Sequence, residues 1–213
     1  MAASLKNRTD RYEHGRDLRG RTPREAHAKL HGPRDRDAVA ILAESDAERV
    51  PELLPERYKR MMADPFGFLR GAAAVMATDL AHQPMAGAPV QACGDCHLMN
   101  FGAFNSPEDD ILFDINDFDE TLPGVDFTVD VKRLAASVAV AAKAANMSDK
   151  RAHTFAASTV TAYREHMFTL MELSPREIWH SRIDLQHELS HIESPELRRS
   201  LTILIRHAQH RGL

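Results

Sequence analysis

The sequence predicts an α+β fold, predominantly helical, in which a small β-hairpin carries the candidate site and packs on a helical bundle. Three observations predict it. From Phe127 onward apolar residues recur at helical spacing almost to the C-terminus, with helix-start signals at Ser148, Ser174 and Ser194. Two short runs of strand character, residues 88–93 and 111–116, interrupt the helical pattern and flank a second short strand and an Asn-Ser-Pro turn. A chain of 213 residues, 43% hydrophobic and 27% charged, has enough material for one domain with a sizeable core.

In chain order, residues 1–36 hold ten Lys or Arg against five acids, are poor in apolar residues and are punctuated by Gly15, Gly20, Gly32 and Pro33. They read as a basic arm, flexible or laid over the surface, leaving residues 37–213 as a single domain. Val39, Ile41, Leu42 and Ala43 predict a modest helix ending before Pro51, and residues 53–62 a second short one. Residues 65–82, PFGFLRGAAAVMATDLAH, predict one buried helix with Pro65 in its first turn. Arg70 on that apolar stretch has two readings, an Arg that snorkels or pairs with a core carboxylate, and an Arg that faces the acidic site as the candidate cofactor-binding residue.

After the hairpin, Pro123 and Gly124 predict a turn. Residues 127–147 then form a helix with Val131, Leu134, Ala135, Val138 and Ala142 on one face. Ser148 caps a long helix over residues 149–173. Ser174 with Glu177 makes a capping box for a helix running through Trp179 and Leu185, and Ser194 with Pro195 opens the last, through Leu197, Leu201, Leu204 and Ile205. The sequence contains no internal repeat.

Composition narrows the function classes. The formal net charge of −4 gives no global case for nucleic-acid binding, although nine acids and no base fall in residues 107–130. The N-terminus has no apolar core of a secretory signal, and no run of about eighteen apolar residues exists to span a membrane. Two cysteines three positions apart do not form a structural disulfide framework. A cytoplasmic location is the expectation.

Three motifs compete for the chemistry. CGDCH at residues 93–97 has the C-x-x-C-H form of covalent haem attachment, but that normally requires an exported chain, so haem is not expected. HELSH at residues 187–191 has the H-E-x-x-H form, which would set His187 and His191 on zinc with Glu188 as general base and His207 or His210 as third ligand. With twelve histidines an accidental match is unsurprising, and a zinc hydrolase is the lesser reading.

The third arrangement is Asp95 followed five residues later by Asn100, then a strand that ends at Asp117. Phosphoryl transfer asks for these parts: an Asp to orient or deprotonate an acceptor hydroxyl, an Asn to hold magnesium, and a further Asp to hold the ion against nucleotide phosphates. Both apolar runs deliver such oxygen donors at their ends, and the hairpin is expected to bring Asn100 and Asp117 together. A calcium loop starting at Asp114 fails, because its sixth position is Asp119 rather than Gly and its twelfth is Val125 rather than Glu.

The segments PFGFLRGAAAVMATDLA, CGDCHLMNFGAF, LFDINDFDETLPG and DVKRLAAS resemble a large, mostly bacterial family of uncharacterised proteins, the domain of unknown function DUF2252. The same stretch is similar to the catalytic half of the protein-kinase-like superfamily, especially the aminoglycoside and choline phosphotransferases. Their pattern H-G-D-x-H-x-x-N is followed by a strand ending in D-W or D-F and a helix bearing an Asp. The resemblance implies the C-lobe of a kinase-like fold, magnesium and ATP as cofactors and an unknown acceptor. It implies Asp95 and His97 as catalytic, Asn100 and Asp117 as metal ligands with Asp114 as a second candidate, and Asp130 as the helix Asp that braces the loop.

Two departures qualify the likeness: Cys93 replaces the first His of that loop, and no glycine-rich phosphate loop or strand lysine precedes residue 90. The expectation is therefore a catalytic and metal half, incomplete alone and possibly met by a complementary chain or by self-association. The alternative is a non-catalytic scaffold or pseudoenzyme.

Overall fold

The computed structural model describes residues 7–33 and 35–211. It is α+β and predominantly helical, with a small β component. The basic N-terminal segment contains α1, Arg8–Arg21, capped by the Asn7 side chain and burying no residue. The first six residues and Arg34 of the expected arm lie outside the described residues.

Next come α2, Ala38–Asp46, and α3, Leu54–Met61. Asp37 caps α2 by accepting from the Val39 and Ala40 amides. Leu42, Met61, Ala72 and Val75 form one buried cluster, with Ala38, Ile41 and Tyr58 packed against it.

The helix expected over residues 65–82 is two helices, α4 (Pro65–Gly71) and α5 (Ala73–Leu80), broken at Ala72 with φ −113° and ψ 37°. The cause lies elsewhere in the chain. Arg57 Nη2 donates to the Gly71 carbonyl at 2.5 Å, and Arg133 Nη2 donates to the Leu69 carbonyl at 2.8 Å. Two guanidiniums thus occupy carbonyls that a continuous helix would use for its own ladder. Gly71 also lies so close to Met61 that a Cβ there would sit 2.4 Å from Met61 Cγ.

Four strands make two antiparallel pairs. β1, Pro89–Ala92, pairs with β4, Leu122–Asp126, and β2, Phe101–Asn105, pairs with β3, Ile111–Ile115. The hairpin β2–β3 matches the sequence expectation; the second ladder does not, because Pro123 and Gly124 by composition predict a turn. The register runs Val90 to Val125 and then Gln91 to Pro123, leaving Gly124 as the extra residue of a bulge with φ +80°. Glycine adopts that conformation without steric cost, so a turn-like dipeptide is absorbed within a strand.

α6, Thr128–Ala144, and α7, Asp149–Glu172, pack against each other, with Phe127 and Tyr163 stacked at 6.1 Å. Ser148 caps α7, and the capping box of Ser174 and Glu177 opens α8, Pro175–His180. The helix expected to run on to Leu185 stops there. Residues 181–184 instead lie along the outer edge of the hairpin, with Phe113 N donating to the Ile183 carbonyl at 2.9 Å and a bridge between Leu112 and Asp184. An open strand edge thus takes backbone that helix periodicity would have claimed.

Asp184 then caps α9, Leu185–Leu189, and α10, Pro195–Arg211, follows. Ile111, Leu185, Ile205 and Ala208 form the second buried cluster, joining the hairpin to α9 and α10. No helix among the described residues is long and apolar enough to cross a membrane.

Candidate functional site

The loop from Cys93 to Asn100 leaves β1 and enters β2, so it is held by both ladders. Gly94 starts it at φ +84°, and a Cβ there would lie 2.1 Å from the Glu120 carbonyl oxygen. Only glycine lets the loop backbone approach the β3–β4 connection this closely. The carboxylate of Asp130, in the first turn of α6, accepts from Cys93 N at 2.8 Å and from Gly94 N at 3.0 Å. Leu98 N donates to the buried Ser137 hydroxyl, fixing the far end of the loop to the same helix.

Asn100 ties the loop to the end of β3. Its Nδ2 donates to the carbonyls of Asp95 at 3.1 Å and Asp117 at 3.2 Å, and contacts Cys93 Sγ at 3.6 Å. Asn116 N donates to the Asn100 carbonyl, continuing the β2–β3 register by one residue. Asn100 and Asp117 are therefore adjacent across the hairpin. The Asn100 Oδ1 accepts no hydrogen bond from the described residues.

Asp95 is 8% exposed, with one carboxylate oxygen engaged by Arg133, whose Nε lies 2.5 Å from Oδ1. Its other oxygen lies 3.5 Å from His97 Nε2. His97 is buried beside Phe66, and its Nδ1 has no hydrogen-bond partner among the described residues. Burial lowers the His97 pKa; the nearby Asp95 carboxylate opposes the shift, and the charges of Arg133 and Arg70 add to it. The ring is thereby biased toward the neutral form.

The remaining sequence-predicted residues are less enclosed. Asp117 is exposed, and its Oδ1 accepts from the Asp119 amide at 3.2 Å. Asp114 is exposed on β3 opposite Gly102, and its Oδ1 accepts from Ile115 N at 2.7 Å. Arg70 is exposed on α4, and it is Arg133 that pairs with Asp95.

Sequence reasoning missed Arg133 and gave Glu120 no role. Partial burial pushes the Glu120 carboxyl up, and the negative charges of Asp95 and Asp117 push it further. An Arg four residues after the apolar Val129, on a helix with Asp130 in its first turn, carries no local mark of its partner; only its position about one turn after Asp130 hints at the same loop.

The cysteines of CGDCH are free and buried. Burial pushes both thiols up, Cys96 to about 12, so neither is a ready thiolate nucleophile. At HELSH the rings of His187 and His191 lie 4.8 Å apart on exposed positions. No group of three or more His, Cys, Asp or Glu side chains among the described residues is placed to hold a metal ion. The side chain of His210, a suggested third zinc ligand, lies outside the described residues.

The fold and site together define a predominantly helical α+β protein whose acidic loop is carried into a β-hairpin. Residues 49–212 match the family described as uncharacterized protein conserved in bacteria (DUF2252), and the chain belongs to that family. No curated protein and no solved structure matches it.

Proposed function

We propose that the chain carries the acceptor and metal half of a phosphotransferase, moving a phosphoryl group from a magnesium-bound nucleotide to an acceptor yet to be identified. The observation that carries this reading is the Asn100 amide bridging the carbonyls of Asp95 and Asp117. One side chain sets the spacing between a buried carboxylate suited to an acceptor hydroxyl and an exposed carboxylate suited to a metal. The Asp130 brace fixes the same loop from behind, so the groups are organised before substrate arrives.

The donors fit magnesium. Asn100 Oδ1 and the Asp117 carboxylate are oxygen ligands, and magnesium characteristically takes one or two carboxylates, several waters and substrate phosphates. Asn100 and Asp117 would hold the ion, which would supply charge neutralisation at the phosphates. Asp95 Oδ2 orients the acceptor hydroxyl and takes its proton, with neutral His97 beside it. Arg70 supplies positive charge on the α4 side for a nucleotide phosphate.

Calorimetric titration of the chain with magnesium-ATP, alongside Asp117→Ala, tests this. Binding in the parent that disappears in the variant is the expected result; equal binding by both removes the metal assignment.

A second reading, a non-catalytic scaffold, draws support from apolar side chains left exposed on α7 and α8, including Phe168 and Trp179, the latter 85% exposed. Sedimentation velocity over a concentration series discriminates, since a scaffold that pairs through this face self-associates and loses that property in Trp179→Ser.

A further inference from the structure

Arg133 is 1% exposed and is divided among three elements. Its Nε and Nη2 hold Asp95 Oδ1, Nη2 also donates to the Leu69 carbonyl at the end of α4, and Nη1 lies 3.4 Å from the Met76 sulfur on α5. A guanidinium is planar, permanently charged and able to serve several acceptors at once, which suits it to a buried junction of this kind. Burying either charge without the other is strongly unfavourable, so the pair is an obligate unit.

The pairing also decides what Asp95 can do. A divalent cation approaching Oδ1 meets the guanidinium charge at contact distance, and Coulomb repulsion between the two is large in a site this buried. Oδ2 carries no such neighbour; it faces His97 Nε2 at 3.5 Å. Asn100 Nδ2 meanwhile holds the Asp95 backbone carbonyl, which fixes the loop beside Asp117 and leaves Arg133 as the restraint that keeps the Asp95 carboxylate turned away from it.

Resting on the phosphotransferase reading, we propose that Arg133 is a positioning residue that keeps Asp95 out of the metal's coordination and reserves its Oδ2 for the acceptor. In the transfer, the acceptor O–H proton passes to Oδ2 and the acceptor oxygen forms the new bond to phosphorus. The bond from that phosphorus to the bridging oxygen of the nucleoside triphosphate breaks, its electron pair leaving with the nucleoside diphosphate. Arg133 touches none of these atoms; it acts through Asp95. By holding Leu69 as well, it ties the orientation of that carboxylate to the break between α4 and α5.

The test is Mn2+ affinity, read from the free-ion electron paramagnetic resonance signal, together with thermal unfolding, on the full chain. The variants are Arg133→Met, Arg133→Lys, Asp95→Asn and the double variant Arg133→Met with Asp95→Asn. Arg133→Met is expected to lower Tm by about 10 °C, because it strands a buried carboxylate, and to tighten Mn2+ binding about tenfold, because that carboxylate becomes available to the ion. A residue serving packing alone gives no gain in metal affinity when it is lost.

Adding Asp95→Asn is expected to restore most of the Tm and return the affinity to the parent value, while Asp95→Asn alone changes Mn2+ affinity less than about twofold. Arg133→Lys retains a charge in the pocket, so it folds and keeps parent affinity. Unchanged or weaker Mn2+ binding in Arg133→Met overturns the proposal, and so does additivity of the two Tm changes. If Arg133→Met unfolds, the proposal stands or falls on whether the double variant refolds. Absence of Mn2+ binding in the parent with its appearance in Arg133→Met removes the phosphotransferase reading and with it the acceptor role of Oδ2, and keeps only the part in which Arg133 bars a cation from Asp95; absence in both removes both.

Discussion

Asn100 Nδ2 donates to the Asp117 carbonyl at 3.2 Å, joining the loop after β1 to the end of β3 across seventeen positions of sequence. The same nitrogen also serves the Asp95 carbonyl, so a single buried amide closes the acidic loop against the hairpin. Replacing it with Ala leaves both carbonyls without that donor. Asn100→Ala is expected to cost about 2 kcal/mol, a fall in Tm of roughly 5 °C, measured by circular dichroism. A change under about one degree would mean that the loop is held adequately by its bonds to Asp130, Ser137 and Asn116.

Asp130 is the second restraint on that loop. Asp130→Ala strips the Cys93 and Gly94 amides of their acceptor, and amide exchange at these two residues should quicken before exchange elsewhere in α6. Asp130→Asn retains one acceptor oxygen and is expected to protect one of the two amides. Uniform acceleration along the helix would instead indicate that α6 itself had loosened.

Two glycines with similar positive φ separate steric from conformational cost. At Gly94 a Cβ meets the Glu120 backbone at 2.1 Å, whereas at Gly124 nothing lies within 4 Å. Gly124→Ala should therefore cost about 1 kcal/mol, from its backbone conformation alone. Gly94→Ala should cost about 3 kcal/mol or more, since the loop must also move away from the β3–β4 connection. Urea unfolding of both variants measures the difference, and equal costs would show that the contact at Gly94 relaxes freely.

Asp126 provides a pH-dependent prediction. Burial alone would raise its carboxyl, but hydrogen bonds from Thr128, Gly87 and Ala88 favour the ionised form and turn the shift downward from 3.8. A carboxyl depressed by folding contributes stability that is fully present above its unfolded value and is lost as pH falls through the folded one. Asp126→Asn should therefore destabilise the chain at neutral pH, with the gap to the parent closing below pH 3.8. Urea midpoints across that range check the sign; a gap that widens on acidification contradicts it.

Much of the secondary structure was legible because its causes are local. The apolar spacing of α6, the Ser148 cap of α7 and the Ser174–Glu177 capping box of α8 each act within a turn or so of helix. The β2–β3 hairpin was legible for a related reason, since its strands are separated by a short turn. These elements follow from propensity, capping and periodicity, which nearby residues settle without reference to the rest of the chain.

Tertiary structure decided where those patterns end. Arg57 and Arg133 divide a helix that periodicity draws as continuous, and the edge of β3 claims residues 181–184 from another. Gly124, a turn signal by composition, becomes a strand bulge because β1 is present to pair with it. In the site, the sequence by itself placed Asp95, Asn100 and Asp117 at the ends of short apolar runs. The pairing of Asp95 with Arg133, thirty-eight positions away, arose only when α6 packed beneath the loop, because a buried charge takes its partner from whatever the fold brings within reach.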